Sequence, residues 1–314
     1  MLGKNASGLF WMSRYLERAE AQARLIEAGF RIALTRAVAA ESEWESLLAT
    51  VGQLESYRAQ HGAVDSPRVI GFLLSDRGNP ASVISMVKVA RDNARLVRTA
   101  LTREVWEAIN ETWIVLDARL KGRIRTADLP DLLALIRRQN ALVRGAMAGT
   151  QLRNDIYNFL RLGTFIERAD NTARILDVKY YLLLPSVAAV GSTLDMVQWE
   201  TILRSVSAQR AYHWLNGPDT TARGIAEFLI LNPQMPRSLA FCHAKICDNL
   251  WHLETEYGEK TAAHGQAETI GLEMLGQSID TIFDSGLHEF IGNYLAANNA
   301  LAMQIAADYR FVAD

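Results

Sequence analysis

The sequence is poor in cysteine and has no long apolar run, and each shortage excludes a class of protein. Its two cysteines, Cys242 and Cys247, lie five residues apart within one predicted helix, so their thiols point to different sides and cannot easily form a disulfide. We therefore expect a reducing compartment. The longest apolar run, residues 182–190, is broken by Pro185 and Ser186. It falls far short of the ~18 residues that a membrane span needs, so no membrane contact is expected.

An excess of charge of one sign is also missing. The chain has 33 Lys and Arg residues against 35 Asp and Glu residues, which gives a net charge of −2. A balance of this kind provides no basic surface for nucleic acid. The first residues lack the basic segment and continuous apolar core of a secretory signal, so we expect a cytoplasmic protein. Because 49% of the residues are hydrophobic, the chain is expected to fold.

Strand patterns and the common catalytic motifs are absent as well. No alternating run of β-branched residues is flanked by turns. No glycine-rich phosphate loop of the Gly-x-x-x-x-Gly-Lys-Ser/Thr or Gly-x-Gly-x-x-Gly type occurs, and the Gly-x-Ser-x-Gly and His-Glu-x-x-His patterns are missing too. The sequence therefore carries no self-sufficient active site, and we expect no cofactor.

Helical periodicity runs through nearly the whole chain. Apolar and small residues recur at alternating steps of three and four over residues 9–33 and again over 159–183, where Pro185 is expected to end the helix. A second pair of stripes covers 83–101 and 239–257, and each begins just after a proline, a residue that the first helical turn tolerates. The fold class is therefore all-α, a helical bundle. Further helices are predicted over residues 42–60, 103–119, 129–148, 193–215, 219–231, 266–284 and 287–307.

The two halves of the sequence contain similar helical units. Glu17-Arg18-Ala19-Glu20 returns as Glu167-Arg168-Ala169-Asp170 at an offset of 150, and other landmarks return in the same order at offsets that grow slowly to 159. These landmarks are Trp44 and Trp199, Tyr57 and Tyr212, Pro80 and Pro236, and Asn140 and Asn299. A period of about 155 residues is too long for a solenoid repeat, so we predict a tandem duplication. Its units are residues 1–150 and 151–314, packed together as one unit.

The polar face of the first helix in each half carries the candidate site. On both helices, acidic residues and an arginine follow one another at steps of three and four beside the apolar stripe. If exposed, such pairs contribute only ~0.2–0.5 kcal/mol each, and a charged helix face is often only solvated or structural. The recurrence of this pattern in both halves favours a paired charged cluster near a pseudo-twofold axis. The candidate binding residues are Glu17, Arg18, Glu20, Arg24, Glu167, Arg168, Asp170 and Arg174.

The sequence offers little for a metal. A carboxylate-bridged dimetal bundle would need Glu-x-x-His pairs, and none of the six histidines follows an acidic residue by three positions. His243 takes the place of Val87 on the second stripe, with Cys247 four residues later, but two ligands are too few for a structural zinc site. We therefore expect no metal site and interpret His243 as a core histidine.

Several motifs, taken in order, resemble the bacterial alpha-E family. They are Arg-Tyr-Leu-Glu-Arg-Ala-Glu at residues 14–20, Phe-Leu-Arg-Leu-Gly-Thr-Phe-Ile-Glu-Arg-Ala-Asp at 159–170, and Phe72-Leu73-Leu74 followed by Asn79-Pro80. The family is all-helical and is named for its Glu-Arg motif, and the resemblance spans essentially the whole chain. The resemblance also implies partner proteins, because alpha-E proteins are typically encoded beside circularly permuted ATP-grasp-like proteins and transglutaminase-like, papain-fold peptidases.

These neighbours imply amide-bond formation or cleavage on peptides or small amino compounds. Our leading hypothesis is a non-catalytic helical subunit that binds an ATP-grasp-type ligase, a transglutaminase-like protein or the peptide substrate through the duplicated Glu-Arg helices. One alternative is an enzyme of amide-bond formation or cleavage, with Glu17 or Glu167 as acid/base and Arg18 or Arg168 holding an anion. A further alternative is a purely structural interaction protein.

Overall fold

The computed structural model describes residues 1–35, 40–183 and 193–311, except for the side chains of 32–43 and 178–198. Within the described residues the backbone forms fifteen α-helices and no strand, which confirms the all-α prediction. The predicted helix end at Pro185 lies outside the described residues. None of the described helices is long and apolar enough to traverse a lipid bilayer.

The helices follow one another in a similar order in the two halves. Those of the first half are α1 (Gly3–Thr35), α2 (Ala40–Thr50), α3 (Leu54–His61), α4 (Ser66–Leu74), α5 (Val83–Leu96), α6 (Arg103–Arg119) and α7 (Leu129–Thr150). Those of the second half are α8 (Asp155–Leu183), α9 (Thr193–Ser205), α10 (Gln209–Asn216), α11 (Ala222–Ile230), α12 (Leu239–Tyr257), α13 (Ala262–Thr269), α14 (Ile279–Ser285) and α15 (Leu287–Asp308). A π-helical turn, Ile270–Met274, continues α13.

Two predicted helices are each divided by a residue in the left-handed conformation. The predicted helix over 42–60 divides into α2 and α3 near Gly52, whose φ is 66°; glycine adopts this conformation without steric cost. The predicted helix over 193–215 divides into α9 and α10 near Ser207, whose φ is 56°. The two residues lie 155 positions apart, so the halves turn at corresponding places. The tandem duplication itself, and the boundary near residue 150, stay predictions.

α5 and α12 begin where the predicted stripes begin, at Val83 and Leu239, but neither has a proline in its first turn. α5 starts after Ser82 and α12 after Ser238, and each serine hydroxyl accepts a hydrogen bond from the backbone N–H three residues on. A serine cap satisfies a donor that the helix leaves unpaired, so Pro80 and Pro236 lie in the preceding turns and not in the first helical turn. The predicted helix over 266–284 is also interrupted, because the π turn separates α13 from α14.

α1 and α8 pack directly on each other, with α5 and α7 against α1 and with α12 and α15 against α8. Small side chains such as Ala19 and Ala169 are fully buried and let neighbouring helices approach closely. The approach is especially close at Gly163, where a Cβ would lie 2.2 Å from the carbonyl oxygen of Phe10. The larger apolar cluster contains residues from both halves, and it encloses the charged faces of α1 and α8.

Candidate functional site

The Glu-Arg motifs of the two halves meet across the contact between α1 and α8. Glu17 accepts hydrogen bonds from Nε and Nη2 of Arg168 at 2.8 and 3.0 Å. In the reciprocal pair, Arg18 donates from Nε and Nη2 to Glu167 at 2.6 and 2.9 Å. Both pairs are bidentate, a geometry that adds strength and specificity to arginine–carboxylate contacts. Four of the predicted residues are thus brought together as two crossed ion pairs, each joining one half to the other.

A second network surrounds Glu20, whose side chain is fully buried. One carboxylate oxygen accepts hydrogen bonds from Nε and Nη2 of Arg24 at 3.0 and 2.7 Å and from Nη2 of Arg237 at 2.8 Å. Arg144 donates to the other oxygen. Arg237 also donates from Nη1 to Glu17 at 3.1 Å, so the two carboxylates share one guanidinium group. The predicted acidic residues of α1 therefore belong to one buried network.

Three further arginines of the cluster are missing from the sequence prediction, namely Arg14, Arg144 and Arg237. Arg14 donates from Nε to Glu167 at 2.8 Å. At all three positions the two halves carry different residues, so a search for motifs that the halves share does not find them. All three are charged residues opposite an uncharged residue, but exposed residues outside the cluster such as Lys88, opposite Ala244, share this feature, so it does not by itself identify them.

Asp170 and Arg174 form the outer part of the predicted site. They pair with each other along α8, with 2.7 Å between Oδ2 and Nε, and the side chain of Arg174 is 43% exposed. Of their counterparts in the first half, Glu20 is fully buried and the side chain of Arg24 is 12% exposed. Because the carboxylates of the crossed pairs are buried as well, the site presents to solvent mainly the side chains of Arg18, Arg144 and Arg174.

Burial and arginine charges act in opposite directions on the buried carboxylates. Burial alone raises the pKa of Glu17, but the charges of Arg168 and Arg237 outweigh it and hold that pKa well below its ordinary value of 4.5. The pKa of Glu20 is lowered although burial and the charge of Glu17 raise it. The pKa of Glu167 is lowered because its two arginines outweigh the effect of burial. All three carboxylates are therefore ionised at neutral pH.

These lowered pKa values predict a loss of stability in acid. A carboxyl whose pKa falls on folding contributes its full stabilisation above the unfolded pKa, near 4.5, and loses it as pH falls towards the folded pKa. With Glu17, Glu20 and Glu167 acting together, the free energy of unfolding should fall by up to about 4 kcal/mol per pH unit below pH ~4.5. Urea unfolding followed by circular dichroism at a series of pH values measures this slope. A free energy that stays level from neutral pH down to pH ~3 would contradict it.

His243 and Cys247 contact each other on α12, with 3.4 Å between Nε2 and Sγ. Burial lowers the pKa of His243 and raises the pKa of Cys247 to about 11, so at neutral pH a neutral imidazole lies beside a protonated thiol. Burial also raises the pKa of Cys242 to about 12. Reactive cysteines have lowered pKa values, so neither thiol is poised as a nucleophile, and His243 is buried in the core as its interpretation requires.

A cavity of about 320 Å³ opens beside the pair of Arg18 and Glu167. Arg14, Arg174 and Asn171 also line it. Asn171 is only 8% exposed, and its side-chain Nδ2 has no hydrogen-bond acceptor among the described residues. A buried donor without an acceptor costs about 1–3 kcal/mol. The cavity thus presents guanidinium groups, while the unsatisfied Nδ2 of Asn171 lies behind its surface, out of contact with solvent.

Comparisons with known proteins place the chain in a family. The family called Alpha-E, described as a predicted alpha-helical domain with a conserved ER motif, matches residues 1–309. An uncharacterized protein of Mycobacterium bovis and another of Mycobacterium tuberculosis are each 25% identical over 260 residues. That match covers 75% of this chain and 28% of each relative, so the chain spans less than a third of their length. No solved structure matches the chain. Because the family model covers nearly the whole sequence, the chain belongs to the Alpha-E family.

Proposed function

We propose that the protein is a non-catalytic helical subunit of an ATP-grasp-type amide-ligase system, which binds the ligase or the peptide or small amino compound on which the ligase acts. The observation that carries this proposal is that the Glu-Arg motifs neutralise each other inside the protein. A general acid or base needs a pKa near the working pH. The pKa values of Glu17 and Glu167 are instead lowered, so these groups are suited to holding a shape and not to transferring protons.

The groups available for binding are the arginines at the edge of the crossed pairs. The side chains of Arg18 and Arg174 are 38% and 43% exposed, and both line the cavity beside Glu167. Arginine is enriched at protein interfaces, and its planar guanidinium group matches a carboxylate. A ligase surface or a peptide substrate with a free carboxylate would therefore find a suitable contact here.

The proposed partners are an ATP-grasp-type ligase and a transglutaminase-like protein, because the family resemblance implies that such proteins are encoded beside this one. The mycobacterial relatives support a unit of this kind working beside other protein segments, because nearly three-quarters of each relative lies outside the match. A ligase that consumes ATP also favours a cytoplasmic location for its subunit.

The test is affinity capture from the native host, followed by mass spectrometry, with the wild type and the double variant Arg18→Ala, Arg174→Ala. We expect the wild type to recover an ATP-grasp-type protein in comparable amount, and the double variant to recover at least tenfold less, because the two lost charged contacts together weaken binding by up to about a hundredfold. The matched control is Arg103→Ala, Arg204→Ala, since both arginines are exposed and pair with a glutamate four positions away.

Two other results would redirect the proposal. Recovery of the protein alone, without a ligase, would contradict the subunit function. Turnover of an amide substrate by the isolated protein would support the enzyme alternative, in which Glu17 or Glu167 exchanges a proton despite its lowered pKa. If the double variant unfolds at a lower temperature but recovers the ligase fully, the duplicated charges are purely structural.

A further inference from the structure

The cavity beside Glu167 has a counterpart in the other half, and that counterpart is filled by protein. There, Arg237 and Arg144 bind Glu20, and Arg24 donates to the hydroxyl of Ser207 at 2.7 Å. Guanidinium groups and a hydroxyl thus occupy the space around the acidic residues of α1. The two regions contain the same Glu-Arg motif, but different side chains surround it.

Three replacements open the cavity in the half that contains α8. They are Ala81 for Arg237, Met303 for Arg144 and Gly52 for Ser207, at offsets of 156, 159 and 155. Ala81 and Gly52 line the cavity and are too small to fill it. Met303 is 66% exposed, so its side chain lies largely in solvent. The cavity therefore lies where Ala81 and Gly52 correspond to larger side chains, and where Met303 provides no guanidinium group, beside an intact Glu-Arg motif.

The donors around this space outnumber the acceptors that the protein provides. Arg14 donates to Glu167 through Nε alone, whereas Arg18 and Arg174 each use Nε and one terminal nitrogen. A guanidinium group has five N–H donors, so all three keep N–H groups that no described residue accepts.

The charge balance indicates which kind of acceptor fits. Three arginines line the cavity against the two carboxylates of Glu167 and Asp170, which leaves an excess of one positive charge. A single carboxylate group balances this excess, whereas a doubly ionised phosphate would exceed it and lie close to both carboxylates. The planar fork of arginine also matches a carboxylate in bidentate geometry.

We infer that this cavity binds a small compound with a free carboxylate, of about the size of a dipeptide, through Arg14, Arg18 and Arg174. Its volume of about 320 Å³ is at the lower end of the range for small-molecule sites, and Leu25 and Val51 provide an apolar wall for the body of the ligand. This inference names the substrate class for the proposed function and rests on it only for the choice of a peptide.

The test is isothermal titration of the purified chain with dialanine, dialanine amide and inorganic phosphate. Dialanine should bind, and its amide should bind about tenfold more weakly or not at all, because the amide lacks the charge that the arginines recognise. Equal binding of dialanine and its amide, tighter binding of phosphate than of dialanine, or no binding by any of the three would each overturn the inference.

Two variants locate the site. Ala81→Arg restores the residue that fills the other half, so it should occlude the cavity, and Arg174→Ala removes an exposed guanidinium group. Each should weaken dialanine binding about tenfold, and the second variant serves if the first fails to fold. The control Arg204→Ala removes an exposed arginine that pairs with Glu200 on α9 and should leave binding unchanged. Unchanged binding in a folded Ala81→Arg or Arg174→Ala would overturn the assignment to this cavity.

The two proposals fail in distinguishable ways. Titration uses the isolated chain, so the absence of a ligase from the capture experiment would leave dialanine binding intact. Conversely, a chain that recovers the ligase but binds no carboxylate compound would keep its function as a subunit while losing this site.

Discussion

Glu17→Ala is expected to lower the free energy of unfolding by about 3–5 kcal/mol, the usual cost of removing one partner from a buried ion pair. The substitution leaves the guanidinium groups of Arg168 and Arg237 without the carboxylate that they share. Their side chains are only 10% and 12% exposed, so water cannot replace it. Urea unfolding of the wild type and the variant, followed by circular dichroism, measures the difference.

The matched control for this prediction is Glu200→Ala. Glu200 pairs with Arg204 at 3.0 Å, but both side chains are at least one-third exposed, so the loss should stay below about 1 kcal/mol. In a double-mutant cycle, Arg168→Ala should cost much less in the Glu17→Ala background than in the wild type. Losses that simply add, or a Glu17→Ala effect no larger than that of Glu200→Ala, would show that the crossed pairs do not hold the halves together.

Gly163→Ala is expected to destabilise the protein by about 3 kcal/mol or more, the upper range for overpacking a core. A Cβ at this position would lie 2.2 Å from the carbonyl oxygen of Phe10. That oxygen belongs to the backbone of α1, so α1 and α8 must move apart and the apolar contacts between them must loosen. Thermal and urea unfolding measure the loss.

The control substitution for this second prediction, Gly145→Ala, is not expected to lower stability. A Cβ at Gly145, in α7, would meet nothing within 4 Å, and alanine is the better helix former by about 1 kcal/mol. Gly145→Ala should therefore leave stability unchanged or raise it slightly. If Gly163→Ala behaves in the same way, the close approach of α1 and α8 is not needed for stability.

The sequence predicts the helices and the charged motif well, because both depend on local spacing. The steps of three and four place Glu17 and Glu20 near one face of α1, and the second copy does the same for α8. The positions of helix breaks are harder to predict. Gly52 is a residue that favours positive φ, but Ser207 is not, and its conformation is recognisable only from its correspondence to Gly52.

The partners of the motif could not be predicted, because they come from distant parts of the chain. Arg237 lies 220 residues from Glu17 and reaches it from the turn before α12. No pattern within one helix indicates such a contact. The cavity could not be predicted from shared motifs either, since it lies where the residues that correspond to Arg144 and Arg237, Met303 and Ala81, carry no charge. Aligning the halves position by position and noting the losses would have indicated it.

The crossed ion pairs also bear on how the protein folds during synthesis. Domains emerging from the ribosome commonly fold as units, the N-terminal one first. The ion-pair partners of Glu17, Arg168 and Arg237, are translated 151 and 220 residues after it. Until then, α1 carries acidic groups that lack their counter-ions and cannot be sequestered from water without a penalty. We therefore expect the helices of residues 1–150 to complete their packing only after much of residues 151–314 has been made, and a prematurely terminated chain to remain open to proteolysis.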